Sequence, residues 1–154
     1  MMLYLVQHAS AKSKEEDPER PLSDQGIEEI TGVASYVSRL DLSIDKIIHS
    51  TKLRAKQTAL ILAEKLHPED GVSEEQGLAP MDDPSGWFEK IRQMDQDLLI
   101  VGHLPYLEKM IALLLCQDDK KKIISFQMGC MVALERKEED WSVKWMVTPQ
   151  NIFP

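Results

Sequence analysis

The chain has 154 residues, 43% hydrophobic and 29% charged, and its 18 Lys and Arg against 26 Asp and Glu leave a net charge of −8. These are the values of one globular domain, expected over 1–154, with apolar surface enough for a core without disulfides or metals. The acid excess argues against nucleic-acid and membrane-surface partners, which need a basic face. No apolar run approaches the roughly 18 residues of a membrane span and no leader pattern is visible, so a cytoplasmic chain is expected. Cys116 and Cys130 make no disulfide framework or metal spacing and read as reduced, buried thiols.

Met2 to His8 is an apolar run of strand length, of the kind covered on both faces. The polar stretch from Ser10 to Pro21 reads as a surface loop. Between Ser23 and Leu40, Ile27, Ile30, Val33, Ala34, Val37 and Leu40 recur at spacings of three and four, which predicts an amphipathic helix. Lys46 to His49 is a second strand. Ser50 or Thr51 then offers a hydroxyl to cap a helix running through Leu53, Ala59, Leu60, Ile61 and Leu66, stopped at His67-Pro68. Glu69 to Ser85 is an acidic connection with a short strand near Val72, followed by a small helix carrying Trp87, Phe88, Ile91 and Met94. Asp97 to His103 repeats the opening design, an apolar strand ending in histidine, and Pro105 stands where a first helical residue belongs. Met131–Leu134 and Trp141–Val147 are late strands joined by a charged turn, expected to pair antiparallel. Strands alternating with helices predict an α/β three-layer sandwich: a largely parallel central sheet, an antiparallel edge, and helices on both faces.

In an open sheet of this kind, ligands bind beyond the carboxyl ends of the strands. Three such ends carry polar groups: Gln7-His8, His49-Ser50 and Gly102-His103. Each precedes a loop or a helix start, and helix N-termini attract anions through unpaired N–H groups and the helix dipole. Arg54, Gln57 and Thr58 share one helix face by their i, i+3, i+4 spacing, with Arg54 in the first turn. A planar guanidinium beside exposed N–H groups suits bidentate phosphate binding. Two histidines and an arginine converging there describe a phosphate site with a possible nucleophile. The plainer readings are a hydrogen-bonded structural histidine at each strand end and a solvated Arg54. Zinc held by His8, His49 and His103 is a further alternative, with strand alternation and the lack of a carboxylate motif against it. Lys120–Lys122 reads as a solvated turn.

Three segments together, Leu5-Val6-Gln7-His8-Ala9, Ser50-x3-Arg54-Ala55-x-Gln57-Thr58 and Val101-Gly102-His103-Leu104-Pro105, resemble the histidine phosphatase superfamily, and within it the short SixA-type phosphohistidine phosphatases. The likeness extends through Arg20 to Gly26, Leu78 to Pro80 and Met146 to Asn151. It implies the phosphoglycerate mutase-like fold and a metal-independent phosphatase that needs no cofactor. His8 would be the nucleophile, with Arg54 and His103 on the phosphoryl oxygens. The family's Arg-His-Gly motif reads Gln7-His8-Ala9 here, so a permanent charge is missing beside the phosphate, and Lys12, Lys14 or, preferably, Arg20 would replace it. The family's usual proton-donor position falls in Gly77 to Pro80, with no acid before Asp82 and Asp83, which read as a helix-capping pair. Lack of a dedicated acid favours phosphohistidine, whose imidazole leaves more readily than an alkoxide. The implied partners are a phosphohistidine-bearing protein, such as a phosphotransfer domain, and phosphate ion. Two other readings stand beside this one: a phosphate- or phosphohistidine-binding module without turnover, motivated by Gln7, and a small-molecule phosphomonoesterase using Asp82 or Asp83.

Overall fold

Alternation along the strands decides which helix covers which face of the sheet. In the computed structural model, which describes residues 1–152, the order is β1 (Met2–Gln7), α1 (Asp24–Val37), β2 (Lys46–His49), α2 (Leu53–Leu66), β3 (Val72–Glu74), α3 (Ser85–Gln93), β4 (Leu98–Gly102), α4 (Tyr106–Cys116), β5 (Met131–Lys137), β6 (Asp140–Val147) and α5 (Pro149–Ile152). The last two positions of the expected domain lie outside the described residues. Tyr4, Val6, Ile47, Leu99 and Val101 point to one face and pack against Ile30, Val33, Ala34 and Val37 of α1 and Ala55, Ala59 and Leu62 of α2. Leu3, Leu5, Ile48, Leu98 and Ile100 point to the other, against Trp87 and Ile91 of α3 and Leu107, Met110, Ile111 and Leu114 of α4. The result is the expected three-layer sandwich. Each fully buried Leu, Ile or Val in it contributes about 1.5–3 kcal/mol before chain entropy is charged against it.

The strand order is β3-β2-β4-β1-β5-β6. β3, β2, β4 and β1 run parallel, while β5 pairs antiparallel with both β1 and β6. β1 and β4 are neighbours, yet the chain leaving β1 goes to α1 on one face and the chain leaving β4 to α4 on the other. Their carboxyl ends therefore border a crevice, the place where such sheets bind ligands. No helix among the described residues is long and apolar enough to cross a membrane.

Local chemistry sets the element ends. Ser23 is the N-cap of α1, its Oγ accepting from the Gly26 amide at 3.0 Å. The α-helix stops at Val37, earlier than its apolar stripe predicts, because Ser38–Leu40 tighten into one 3-10 turn that Asp41 ends at φ +50°. His67 ends α2 at φ +48°, donating its amide to the Ala63 carbonyl at 3.0 Å just before Pro68. Pro105 lies one residue outside α4 rather than inside it, following a cis peptide bond. Cys130 is buried as expected, but Cys116 is exposed: it is the last residue of α4 and falls on the helix's solvent side.

The segment after β1 is folded back on itself. Ala11 bridges Leu22, the Lys12 amide donates to Pro21 at 2.8 Å, and both the amide and Oγ of Ser23 donate to the Ser10 carbonyl. That brings the first turn of α1 so close to Ser10 that a Cβ on Gly26 would overlap the Ser10 carbonyl oxygen. Two effects oppose each other in Gly26→Ala. Alanine gains about 1 kcal/mol of helix propensity, whereas overpacking against backbone costs typically 1–3 kcal/mol and more where the backbone cannot yield. The clash should win, and chemical denaturation of Gly26→Ala is expected to show net destabilisation of about 1–2 kcal/mol. A variant as stable as wild type would show that the Ser10 turn is free to move.

Candidate active site

His8 sits one residue beyond β1, with its amide donating to the Gly102 carbonyl at 3.0 Å and its own carbonyl accepting from Gly129. The side chain is 6% exposed. Its Nδ1 lies 2.8 Å from the Ala9 carbonyl oxygen. A carbonyl can only accept, so Nδ1 carries the proton and Nε2 is left with its lone pair. Burial, followed by the charges of Arg54 and Arg20, pushes the His8 pKa down to about 4 against the opposing effect of the Ala9 bond. His8 is thus a neutral imidazole at physiological pH, with Nε2 as its unprotonated nitrogen.

His103 follows β4 in the same way and its ring lies 5.0 Å from that of His8, centroid to centroid. Burial and then the neighbouring His8, Arg54, Lys52 and Arg20 push its pKa down to about 3. Its Nε2 is 2.6 Å from Ser50 Oγ, while Nδ1 is buried without a partner. Arg54 occupies the first turn of α2, with Nε also buried and unpartnered, and burial with the nearby Arg20 lowers its pKa. The sheet end therefore gathers cations and hydrogen-bond donors, and among the described residues no carboxylate is ion-paired with Arg20, Lys52 or Arg54, although Glu19 and Asp82 also stand on the cleft wall. Above them opens a cleft of about 640 Å³, walled by Lys14, Arg20, Lys52 and Arg54 and by the Ala79–Asp82 turn.

Arg20 is held at φ +51°, a left-handed conformation uncommon for a side chain of this size. Its amide donates to the Asp17 carbonyl and its Nε to the Lys12 carbonyl at 3.1 Å. The end of its guanidinium is thereby carried to the cleft wall, close enough to act on both histidines and on Arg54. Gln7 is different. It is 7% exposed, shares the strand parity of Leu3 and Leu5, and its Oε1 is buried without a partner. Ala9 takes no positive φ, so alanine in place of glycine imposes no backbone strain there.

The structure also assigns work that the sequence expectation placed elsewhere. Ser50 does not cap α2: that helix starts at Leu53 with Lys52 as its cap residue and no side-chain cap, and the Ser50 hydroxyl is engaged with His103. Thr58 Oγ1 accepts from the Ala9 amide at 3.1 Å and donates to the Arg54 carbonyl at 2.8 Å. Gln57 Oε1 accepts from the Leu22 amide at 2.7 Å. The signal for both was the shared face with Arg54, which turns inward over the loop that follows β1. His49 does not join the pair: its Nδ1 is bonded to the Ser50 carbonyl, and it has the strand parity of Ile47. Among the described residues no group of three His, Cys, Asp or Glu is arranged to hold a metal ion. Of the two acids, Asp83 accepts from the Ser85 amide at the start of α3, and the Ser85 bonds hold its carboxyl below the usual range. Asp82 instead accepts from the Ala79 amide at 2.9 Å and faces the cleft, so the pair does not cap the helix together.

The sign of the histidine shifts leads to a test on the free protein. In the unfolded chain both rings protonate near pH 6.5, whereas the folded protein refuses those protons until about pH 4 and about pH 3. Below pH 6.5 the unfolded state binds more protons, so these groups lower stability progressively as pH falls towards 4 and have no such effect above 6.5. The thermal midpoint should drop more steeply between pH 6.5 and 4.5 in wild type than in a His8→Asn, His103→Asn double variant. Parallel slopes would show that the rings are not held neutral.

A family model of the histidine phosphatase superfamily (branch 1) matches residues 3–82, the stretch carrying β1, the Arg20 loop and the Ser50–Thr58 segment. An uncharacterized protein of Picosynechococcus sp. is 37% identical over 115 residues, which are 70% of this chain and 68% of that one. The fold is shared with the protein histidine phosphatase SixA, solved in complex with tungstate, at a TM-score of 0.87 and 20% identity over 98% of this chain and 99% of SixA. It is shared too with an alpha-ribazole phosphatase from Shigella flexneri, at 0.73 and 16% identity over 97% of each chain. A phosphoserine phosphatase from Entamoeba histolytica gives 0.73 and 14% identity over 99% of each. With the family match running through the strand end, the loop and the helix that build the cleft, the chain belongs to the histidine phosphatase superfamily, branch 1.

Proposed function

We propose that this protein is a metal-independent phosphatase that removes the phosphoryl group from phosphohistidine on another protein, through a phosphorylated His8. The observation that carries the reading is the bond from His8 Nδ1 to the Ala9 carbonyl. It leaves Nε2 unprotonated in a ring whose pKa is depressed to about 4, beside Arg54 and His103. Superfamily membership supports the reaction class.

In this reading Nε2 of His8 attacks phosphorus in line with the scissile bond. The new N–P bond forms as the substrate's N–P bond breaks, and the departing imidazole takes its proton from water. A second water then attacks the phosphorylated His8, releasing inorganic phosphate and restoring the free ring. Arg54 and His103 hold the non-bridging oxygens, and Arg20 supplies the cation that Gln7 does not. These donors are already in place, His103 buried and the arginines partly so, and little reorganisation is needed as charge shifts.

Three features favour phosphohistidine on a protein. Asp83 is engaged at the start of α3 and Asp82 accepts from the Ala79 amide, so both acids already have backbone partners; an imidazole needs a dedicated acid less than an alkoxide does. The cleft is open, with Met81 81% exposed on its wall. Lys14 and Lys52 on the walls give an acidic phosphotransfer domain a cationic landing in an otherwise acidic molecule. Gln7 favours a second reading, a phosphohistidine-binding module, because binding survives the loss of a charged donor better than transition-state stabilisation does. Asp82 on the cleft wall keeps a third, small-molecule monoesterase chemistry.

Phosphate release from a phosphohistidine-bearing phosphotransfer protein separates them. Wild type should turn over and His8→Ala should fall to background, with no change on adding a chelator. Equal, slow release by both proteins would overturn the phosphatase reading and leave the binding module. Gln7→Arg should raise turnover by on the order of 10–10², short of the 10²–10³ that a lost oxyanion donor typically costs, because Arg20 replaces part of the charge. Activity on an unactivated alkyl phosphate that disappears in Asp82→Asn would instead establish the third reading.

A further inference from the structure

Ser50 is fully buried at the carboxyl end of β2, and nothing in the reaction described above uses it directly. Its Oγ has two partners. It accepts from the Lys52 amide at 3.3 Å and lies 2.6 Å from His103 Nε2. A hydroxyl has one hydrogen to give. The Lys52 N–H is itself a donor, so among the described residues His103 Nε2 is the acceptor to which the Ser50 hydrogen can go. Nε2 then holds a lone pair, and in a neutral ring the proton resides on Nδ1. That is the nitrogen left buried and without a partner.

The strand order makes the direction consistent. β4 lies between β2 and β1, so His103 is flanked by Ser50 on one side and His8 on the other. Reversing the tautomer would leave the Ser50 hydrogen without an acceptor. It would also turn Nδ1 into a lone pair, which repels a phosphoryl oxygen instead of donating to it. We propose that Ser50 is a positioning residue: by donating to His103 Nε2 it holds the neutral ring in the tautomer that carries its proton on Nδ1, ready for a phosphoryl oxygen. The inference rests on the proposed phosphatase reading for its consequence, though not for the tautomer itself. It gives the serine of the Ser50–Thr58 segment a chemical reason that helix capping does not.

The test reads the ring and the ligand separately. In protein carrying ¹⁵N-histidine at pH 7, the His103 resonances of wild type should show a protonated Nδ1 and an unprotonated Nε2. Ser50→Ala should shift the ring towards the Nε2–H tautomer. It should also weaken binding of inorganic phosphate about 10–100-fold, by analogy with the loss when the outer hydrogen-bond partner of a metal-ligating histidine is removed. Turnover should fall by a similar factor, mainly in kcat. A wild-type spectrum with the proton on Nε2 would overturn the proposal, as would a Ser50→Ala protein that keeps both the Nδ1–H tautomer and wild-type phosphate affinity. Should Ser50→Ala not fold, the wild-type spectrum alone decides. Should wild type release no phosphate, the phosphatase reading falls while the spectrum still judges Ser50.

Discussion

The Ala9 amide donates to the Thr58 hydroxyl at 3.1 Å, and the same hydroxyl donates to the Arg54 carbonyl. Through that one oxygen, the chain leaving β1 is tied to the turn of α2 that bears the arginine. His8 and Arg54 belong to different elements 46 positions apart, yet neither can shift without breaking a buried bond. Gln57 repeats the device one residue earlier in the helix by receiving the Leu22 amide, which secures the far end of the loop carrying Arg20. Both bonds are buried or nearly so, where an unmet partner costs more than the bond itself contributes. The geometry of the cleft is therefore a property of the loop–helix seam more than of any single site residue.

Held this way, the cleft is electrostatically unfinished. Arg54 and Arg20 add to burial in keeping both histidines neutral, and among the described residues no acidic side chain is ion-paired with either arginine. Structural ion pairs elsewhere in the molecule look quite different. Arg136 is saturated by the Ile91, Arg92 and Met94 carbonyls and by Asp95, where it closes the end of α3. A guanidinium with an open donor in a molecule of charge −8 is an exception that invites an anion. Arg20 adds local backbone strain at φ +51°, a cost that persists only because surrounding bonds enforce it.

Much of this was legible in the residues. Continuous apolar runs and the three-and-four helical spacing were enough for the sheet, its flanking helices and the antiparallel edge; the polar strand ends marked His8 and His103, and the first turn of a helix marked Arg54. The misreadings share a cause. Ser50 looked like a helix cap because local sequence shows its neighbours, whereas its partner is 53 residues away. Asp82 and Asp83 looked like one capping pair, but a turn at Ala79 separates their tasks. Gln7 was legible as a departure, and its unpartnered Oε1 was not, since partner geometry depends on α4 and on the Gly129 turn. Cys116 was placed by composition when its helix phase decided the matter.

The central place of β1 has a kinetic meaning. Its two partners are β4, with Leu3 opposite Leu98, and β5, with Leu3 opposite Leu134. Both pairings close loops on the order of a hundred residues, and such closures must be bought with chain entropy before any contact repays them. Until they form, this buried, largely apolar strand has no neighbour on either side and its edges are open to other chains. His8 and His103 come into register in that same late event, so the ability to bind an anion should be acquired with the last cooperative step of folding, not ahead of it.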